Sequence, residues 1–362
     1  MKSAATARRY VGLTGALIGV VATGAAAGIL AERTALARRR AARPVEGLGS
    51  LRGERHTVMA DDGVELFAEI DDLTPGATAQ AQITVVFVHA YAVNLDSWHY
   101  QRAALRGSYR LVFFDQRSHG RSGRSSRANS TIDQTGRDLA KVIEQLVPHD
   151  RLVLVGHSMG GMTILALADQ CPDLFQDRVA GVALVATSAE GLTAEVLGLP
   201  GLPGRVIHRL TPALVATLAR TPRLVETGRR ATSDIGSVMT RKLAFGGPVA
   251  QELVDFTDSM LTATPFEVVA EFFPGFGTHD KREALQVLQS VPSIVICGSG
   301  DSITPIDLSH HLGELAGSEE VVELSGAGHM VILERPIEVT AAIERLIGRA
   351  AGRSLDPTSP DD

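Results

Sequence analysis

A serine hydroxyl is a poor nucleophile at neutral pH. It attacks a carbonyl only when a neighbouring base takes its proton, and the base needs an acid partner to fix its tautomer and steady its charge. Three segments of this chain supply those groups: Gly156-His157-Ser158-Met159-Gly160 a hydroxyl, Gly300-Asp301 a carboxylate and Gly328-His329 an imidazole. The chemistry such a set performs is acyl transfer, with Ser158 as nucleophile, His329 as base and Asp301 as its orienting acid.

The segment around Ser158 carries its own positioning device. Leu152 to Val155 is a short apolar run and reads as a fully buried strand, whereas Met162 to Leu167 reads as the start of a buried helix. Strand, G-x-S-x-G, helix is the setting in which that motif means a sharp turn with an exposed hydroxyl. Side chains two positions either side of the serine would clash, hence Gly156 and Gly160. The helix N-terminus that follows offers free N–H groups to a developing oxyanion. A bare G-x-S-x-G is common by chance, so the flanking strand and helix carry the inference.

Further buried strands read as Ile83 to Val88, Arg110 to Phe114, Val179 to Ala186, Ser293 to Cys297 and Val321 to Leu324. Helical stretches alternate with them at Asp96 to Leu105, Thr131 to Leu146, Met162 to Cys171, Ile306 to Leu315 and Pro336 to Gly348. Alternation of this kind predicts a mostly parallel sheet covered on both faces. Ahead of it, Asp61-Asp62-Gly63 between two alternating runs predicts a β-hairpin. Ligands of such sheets sit beyond the carboxyl ends of the strands. His89-Ala90-Tyr91-Ala92 follows the first parallel strand and Asp115-Gln116-Arg117-Ser118-His119-Gly120-Arg121-Ser122 the second. Ser158, Asp301 and His329 each leave a different strand on that same edge.

With these segments in this order the chain resembles the α/β-hydrolase superfamily over roughly Arg55 to Gly348. It looks most like the small-substrate hydrolases grouped with esterases, C–C bond hydrolases and cofactor-free haloperoxidase-type perhydrolases. The resemblance implies an α/β-hydrolase fold with a helical cap, a triad of Ser158, Asp301 and His329, and an oxyanion hole from the backbone N–H groups of Met159 and Tyr91. Two positions depart from the family pattern. His89-Ala90 stands where the family has His-Gly, and alanine fits that loop only at negative φ. Ser118 stands where the family has glycine, in a segment that shapes the loop beside the pocket. A serine nucleophile excludes the dehalogenase and epoxide-hydrolase chemistries of the superfamily, which need an aspartate there. The first reading is therefore a carboxylic ester or thioester hydrolase with an apolar small-molecule substrate. The alternatives are a perhydrolase or C–C bond hydrolase using the same triad, and a non-catalytic binding module on a hydrolase fold.

Other polar residues read as structural. His89 and His157 buttress loops, and Asp115 and Arg117 pair with loop backbone. Glu190 is the rival acid, after the Val179 to Ala186 strand; Asp301 is preferred because Gly-x-Gly-Asp follows a strand directly. His279 and His310 lack the glycine-rich setting a mobile base needs. Adjacent His310 and His311 point different ways on a helix, which argues against a shared metal. No cofactor or metal is expected, and Cys171 and Cys297 read as buried thiols, with a disulfide left open.

The hydrophobic share of 44% suits one large core, and the net charge of −6 gives no argument for nucleic acid. Val11 to Ala31 runs 21 residues without a charge, between basic flanks. As a helix it would span about 31 Å, the thickness of a bilayer core. The expectation is a single-pass N-terminal transmembrane anchor; the alternative is export with a cleaved signal. Five arginines follow the run and three basic side chains precede it, so the positive-inside rule leans toward a cytoplasmic catalytic domain. The expected division is residues 1–32 tail and anchor, 33–52 basic linker, 53–189 and 289–350 core, 190–288 helical cap and 351–362 disordered tail. In the cap, Val206 to Leu218, Val238 to Phe245 and Pro248 to Thr262 read as helices, broken by Gly198, Gly201, Pro203 and Gly204 and again by Pro274, Gly275 and Gly277. Oligomeric state is not legible.

Overall fold

The computed structural model describes residues 47–74, 83–192 and 240–352. Strands β1 (Glu54–Met59) and β2 (Glu65–Asp71) form the hairpin about Asp61-Asp62-Gly63, and Gly63 turns it at φ 83°. After them come β3 (Ile83–Val88), helix α1 (His99–Leu105), β4 (Arg110–Phe114), α2 (Ile132–Leu146), β5 (Arg151–His157), α3 (Met159–Gln170), α4 (Pro172–Asp177) and β6 (Val179–Val185). Then follow α5 (Gln251–Ala263), α6 (Phe266–Thr278), α7 (Leu285–Leu288), β7 (Ser293–Gly298), α8 (Ile306–Ala316), β8 (Glu320–Leu324), α9 (Val331–Glu334) and α10 (Pro336–Gly352). The eight strands make one sheet in the order β1-β2-β4-β3-β5-β6-β7-β8, parallel from β4 onward.

The central strands are apolar at every position because both their faces are covered. Val85, Phe87, Val153 and Val155 point to one side, where Leu105 of α1 and Leu346 and Ile347 of α10 meet them. Val86, Val88, Leu152 and Leu154 point to the other, against Leu139 and Ile143 of α2 and Leu165 of α3. Each such side chain, fully buried, contributes roughly 1.5–3 kcal/mol. The chain steps from β3 to β4 in one direction and returns across β3 to β5. The loops after β3 and β5 therefore part at the carboxyl edge and leave a crevice between them.

Three local expectations are corrected. Helix α3 begins at Met159 rather than Met162, because the turn at Ser158 is completed within one residue. Gly160, read as part of the turn, and Gly161 directly after it lie inside the first helical turn. A Cβ on Gly160 would sit 2.1 Å from the Val88 carbonyl oxygen, so glycine is required by contact between helix and strand. Helix α6 runs through Pro274, which the sequence marks as a breaker. Its buried Val268, Phe272 and Phe276 recur every four residues on one face. Burial of that face offsets a proline cost of about 3 kcal/mol. Helix α10 continues to Gly352, beyond Gly348.

Both cysteines are free, Cys297 buried and Cys171 half-buried. Among the described residues no helix is long and apolar enough to cross a membrane. The run Val11 to Ala31 lies outside the described residues, as does Val206 to Leu218.

Arg117 is the main polar tie of the fold. Fully buried, it gives Nε and Nη2 to the two carboxylate oxygens of Asp138, both at 2.6 Å. Nη1 and Nη2 reach Asp62 in the hairpin turn at 2.8 and 3.1 Å. This corrects the expectation of loop backbone as its partner: a buried guanidinium needs carboxylates. Replacing Arg117 by Met should strand Asp138 without its cation and lower unfolding free energy by about 3–5 kcal/mol. Urea denaturation would read this as a lower midpoint at unchanged slope, and a loss under about 1 kcal/mol would contradict it.

Candidate active site

Ser158 joins β5 to α3 with φ 51° and ψ −115°. A non-glycine residue held there carries strain of about 1–3 kcal/mol. Its own main chain is locked at both ends. The N–H donates to the Val185 carbonyl at 2.9 Å, and the carbonyl accepts from Gly161 N–H at 2.9 Å and Thr187 Oγ1 at 2.7 Å. A Cβ on Gly156 would lie 2.5 Å from the Gly160 oxygen, so the turn closes only with glycine there.

The structure brings Ser158, His329 and Asp301 together. Ser158 Oγ lies 2.9 Å from His329 Nε2, and His329 Nδ1 lies 2.8 Å from Asp301 Oδ2. All three are buried: 9% of Ser158, 7% of His329 and 5% of Asp301 remain exposed. Asp301 is further held by N–H donation from Ile303 and Thr304 to Oδ1, at 2.8 and 3.0 Å, and by the Thr304 hydroxyl on Oδ2 at 2.6 Å. Burial alone would raise the Asp301 carboxyl; the His329 ring and these donors hold it below the usual carboxylate range. The rival acid Glu190 faces His311 instead, at 3.3 Å. His310 pairs with Glu323 at 2.7 Å, so the adjacent histidines do take different partners.

Met159 opens α3, so its N–H has no partner in the preceding turn. Within the described residues neither the Met159 nor the Tyr91 N–H donates a hydrogen bond. Ala90 stays out of the left-handed region, and Ala92 takes it instead at φ 59°. Ser118 takes φ 66°, which explains why glycine suits that position, and its hydroxyl accepts from Ser125 N–H at 2.8 Å.

Sequence reasoning missed what supports the Tyr91 loop. The Gln116 N–H donates to His89 Nε2 at 2.9 Å, leaving Nδ1–H to donate to the Ala90 carbonyl at 2.7 Å. The Gln116 side chain donates to the His89 carbonyl at 2.7 Å and accepts from Thr163 Oγ1 at 2.8 Å. No local pattern announces such a network, which joins β3, β4 and α3. His157 supports the other side: its Nε2–H donates to the His329 carbonyl at 2.8 Å. Asp115 accepts from the N–H groups of Leu95 and Arg121, both at 2.8 Å, which is the loop role expected of it. Missed as well was α6, although the four-residue spacing of Val268, Phe272 and Phe276 was available as a signal.

Ser158 and His329 line a cavity of about 1090 Å³, with Met162, Leu243, Leu261, Val269, Phe273 and Phe276 in its wall. Tyr91 lines it too, its hydroxyl donating to the Val269 carbonyl and its ring resting against Phe276 at 4.8 Å. Among the described residues no cluster of His, Cys, Asp and Glu could hold a metal ion. The arrangement can activate a hydroxyl, stabilise an oxyanion and seat an apolar group beside them.

Comparison with known proteins gives concordant matches. A family described as alpha/beta hydrolase fold matches residues 83–336. The epoxide hydrolase A of Mycobacterium tuberculosis is 28% identical over 291 residues, 72% of this chain and 88% of that one. A 3-oxoadipate enol-lactonase of Acinetobacter baylyi is 27% identical over 255 residues, 70% and 84% of the two chains. Among solved structures, a thermophilic esterase from Thermogutta terrifontis is similar in fold, with a TM-score of 0.63 at 22% identity, over 83% of this chain and 100% of its own.

Burial pushes three histidine rings beside the site down from 6.5, His89 and His157 to about 3 and His119 to about 4. Unfolded histidines take up protons near pH 6.5, which these three refuse while folded. Their contribution to stability is therefore complete above pH 6.5 and is lost as pH falls toward the folded values. The expected slope between about pH 6 and 4.5 is on the order of 4 kcal/mol per pH unit, roughly 1.36 from each ring. Urea unfolding at stepped pH measures it; a flat profile across that window would contradict neutral burial.

Proposed function

Because this chain belongs to the α/β hydrolase fold family, we propose that it is a serine hydrolase cleaving an apolar ester or thioester through an acyl-enzyme. The observation that carries this reading is the unbroken line Ser158 Oγ, His329 Nε2, His329 Nδ1, Asp301 Oδ2, with spacings of 2.9 and 2.8 Å, opening on an apolar cavity. Ser158 Oγ attacks the carbonyl carbon as its proton passes to His329 Nε2. Asp301 keeps Nδ1–H in place and steadies the imidazolium. The oxyanion is met by the N–H groups of Met159 and Tyr91, each contributing about 3 kcal/mol to the transition state. His329 then protonates the leaving oxygen or sulfur. Water, deprotonated by the same ring, releases the acid and restores the Ser158 hydroxyl.

The epoxide chemistry named for one relative does not fit a hydroxyl nucleophile. Opening an epoxide with Ser158 would leave an ether, and no water step could release it. In this reading residues 190–288 form a cap that sets pocket shape, with α5, α6 and α7 among its described helices. Val11 to Ala31 serves as a membrane anchor.

A fluorophosphonate probe should label the full chain at Ser158, and Ser158→Ala should abolish labelling and lower kcat by roughly 10⁶-fold on an acyl-ester panel. Asp301→Asn should lose about 10⁴-fold. Labelling that persists in Ser158→Ala, or a wild-type chain that neither labels nor turns over any ester, would sink the proposal. A panel run with and without peroxide separates ester hydrolysis from perhydrolysis. Deleting residues 1–46 should move the protein from the membrane pellet to the supernatant with labelling intact; retention in the pellet would contradict the anchor.

A further inference from the structure

Three backbone segments meet with almost no side chain between them behind the imidazole of His329. They are the turn after β7, the loop Ser325 to His329, and residues 244–247 ahead of α5. A Cβ on Gly328 would lie 2.3 Å from the Gly246 nitrogen, and one on Gly298 would lie 2.3 Å from the Ala327 oxygen. Main-chain bonds stitch them: Gly300 N–H to the Ala327 carbonyl at 2.8 Å, and Met330 N–H to the Ala244 carbonyl at 2.7 Å. Ser299 Oγ, in the turn after β7, accepts from Gly326 N–H at 2.8 Å, and a second side chain joins the loop to residues 244–247. Glu334 Oε1, at the end of α9, accepts from Gly328 N–H at 2.6 Å and from Gly246 N–H at 3.2 Å. The neighbouring Arg335 holds the start of the same loop, its Nη2 donating to the Ser325 carbonyl at 3.1 Å.

We propose that Glu334 is a positioning residue for His329, tying the pocket-wall segment 240–247 to the imidazole's loop through one shared carboxylate. Gly328 immediately precedes His329, so the 2.6 Å bond fixes the Ala327–Gly328 peptide, one residue ahead of the one that carries the ring. Thr240, Leu243 and Ala244 line the same cavity as Ser158 and His329. The loop carrying the base and the wall touching the substrate thus share an acceptor. Gly328 and Gly246 have no side chains to hold them, and a charged acceptor on their two N–H groups supplies that hold. Burial pushes the Glu334 carboxyl above its ordinary range, while the two N–H donors oppose this.

This inference rests on the serine-hydrolase reading above. Its test uses the full chain, a short p-nitrophenyl ester and a fluorophosphonate probe. Glu334→Ala should lower kcat and the labelling rate together by roughly 10–100-fold, the size expected for losing a charge-assisted hydrogen bond, with KM within about twofold. The downfield proton resonance of the His329–Asp301 pair should broaden or vanish. Glu334→Gln keeps an oxygen that can accept from both N–H groups, so it should restore the resonance and bring kcat to within about fivefold of wild type. Should the alanine variant not fold, Glu334→Asp serves instead: it withdraws the acceptor by about one bond length, ~1.5 Å, and should lose roughly 10-fold in kcat. Overturning results are an alanine or aspartate variant with kcat within twofold of wild type and the resonance unmoved. Equal impairment of the alanine and glutamine variants would overturn it too. A wild-type chain without turnover or labelling would instead be a failure of the hydrolase reading.

Discussion

Ser158 is held in a backbone conformation that an L-residue avoids, φ 51° with ψ −115°, and much of the surrounding structure can be understood as what keeps it there. Strain of about 1–3 kcal/mol is comparable to a few net hydrogen bonds at about 1 kcal/mol each. Ser158 has them: its N–H is bound by β6, and its carbonyl by Gly161, Met162 and Thr187. The glycines at 156 and 160 remove the Cβ atoms that would otherwise strike the turn and β3. Because β5 sits between β3 and β6, both neighbours contribute, and neither could be altered without moving the hydroxyl.

Around that turn, the ring nitrogens outside the Ser158, His329, Asp301 line are kept uncharged. His89, His119 and His157 are fully buried and held neutral by desolvation, so they act as hydrogen-bonding spacers rather than as competing cations. His157 reads the backbone of His329, and His89 organises the loop carrying Tyr91 through Gln116. The formal charges of Arg117, Asp138 and Asp62 are paired with one another. A low-dielectric surround strengthens the His329–Asp301 interaction for the same reason that it penalises any unpaired neighbour.

The strands, their order of appearance and the three side chains at their carboxyl ends were legible in the sequence. For the central strands, apolar runs of five to seven residues followed by small or polar residues encode both burial and exit point in the local chain. What was not legible depends on tertiary contact. Pro274 looks like a helix terminator until Phe272 and Phe276 have a surface to bury against. Gly160 and Gly161 look like turn residues until β3 and Thr187 come close enough to demand helix without side chains. Arg117 finds Asp62 and Asp138, 55 and 21 residues away, and nothing in its neighbourhood names them. Gln116 and Glu334 act on main-chain groups, which every residue possesses, so no residue pattern points to their targets.

The hydroxyl and the imidazole stand 171 residues apart in the chain, and the strand that delivers His329 is an outer member of the sheet. During synthesis Ser158 therefore leaves the ribosome well before His329 does. A nascent polypeptide ending before β8 holds Ser158 without the imidazole that the finished sheet sets 2.9 Å from its hydroxyl. The line Ser158, His329, Asp301 is therefore assembled only after the last strand has been made.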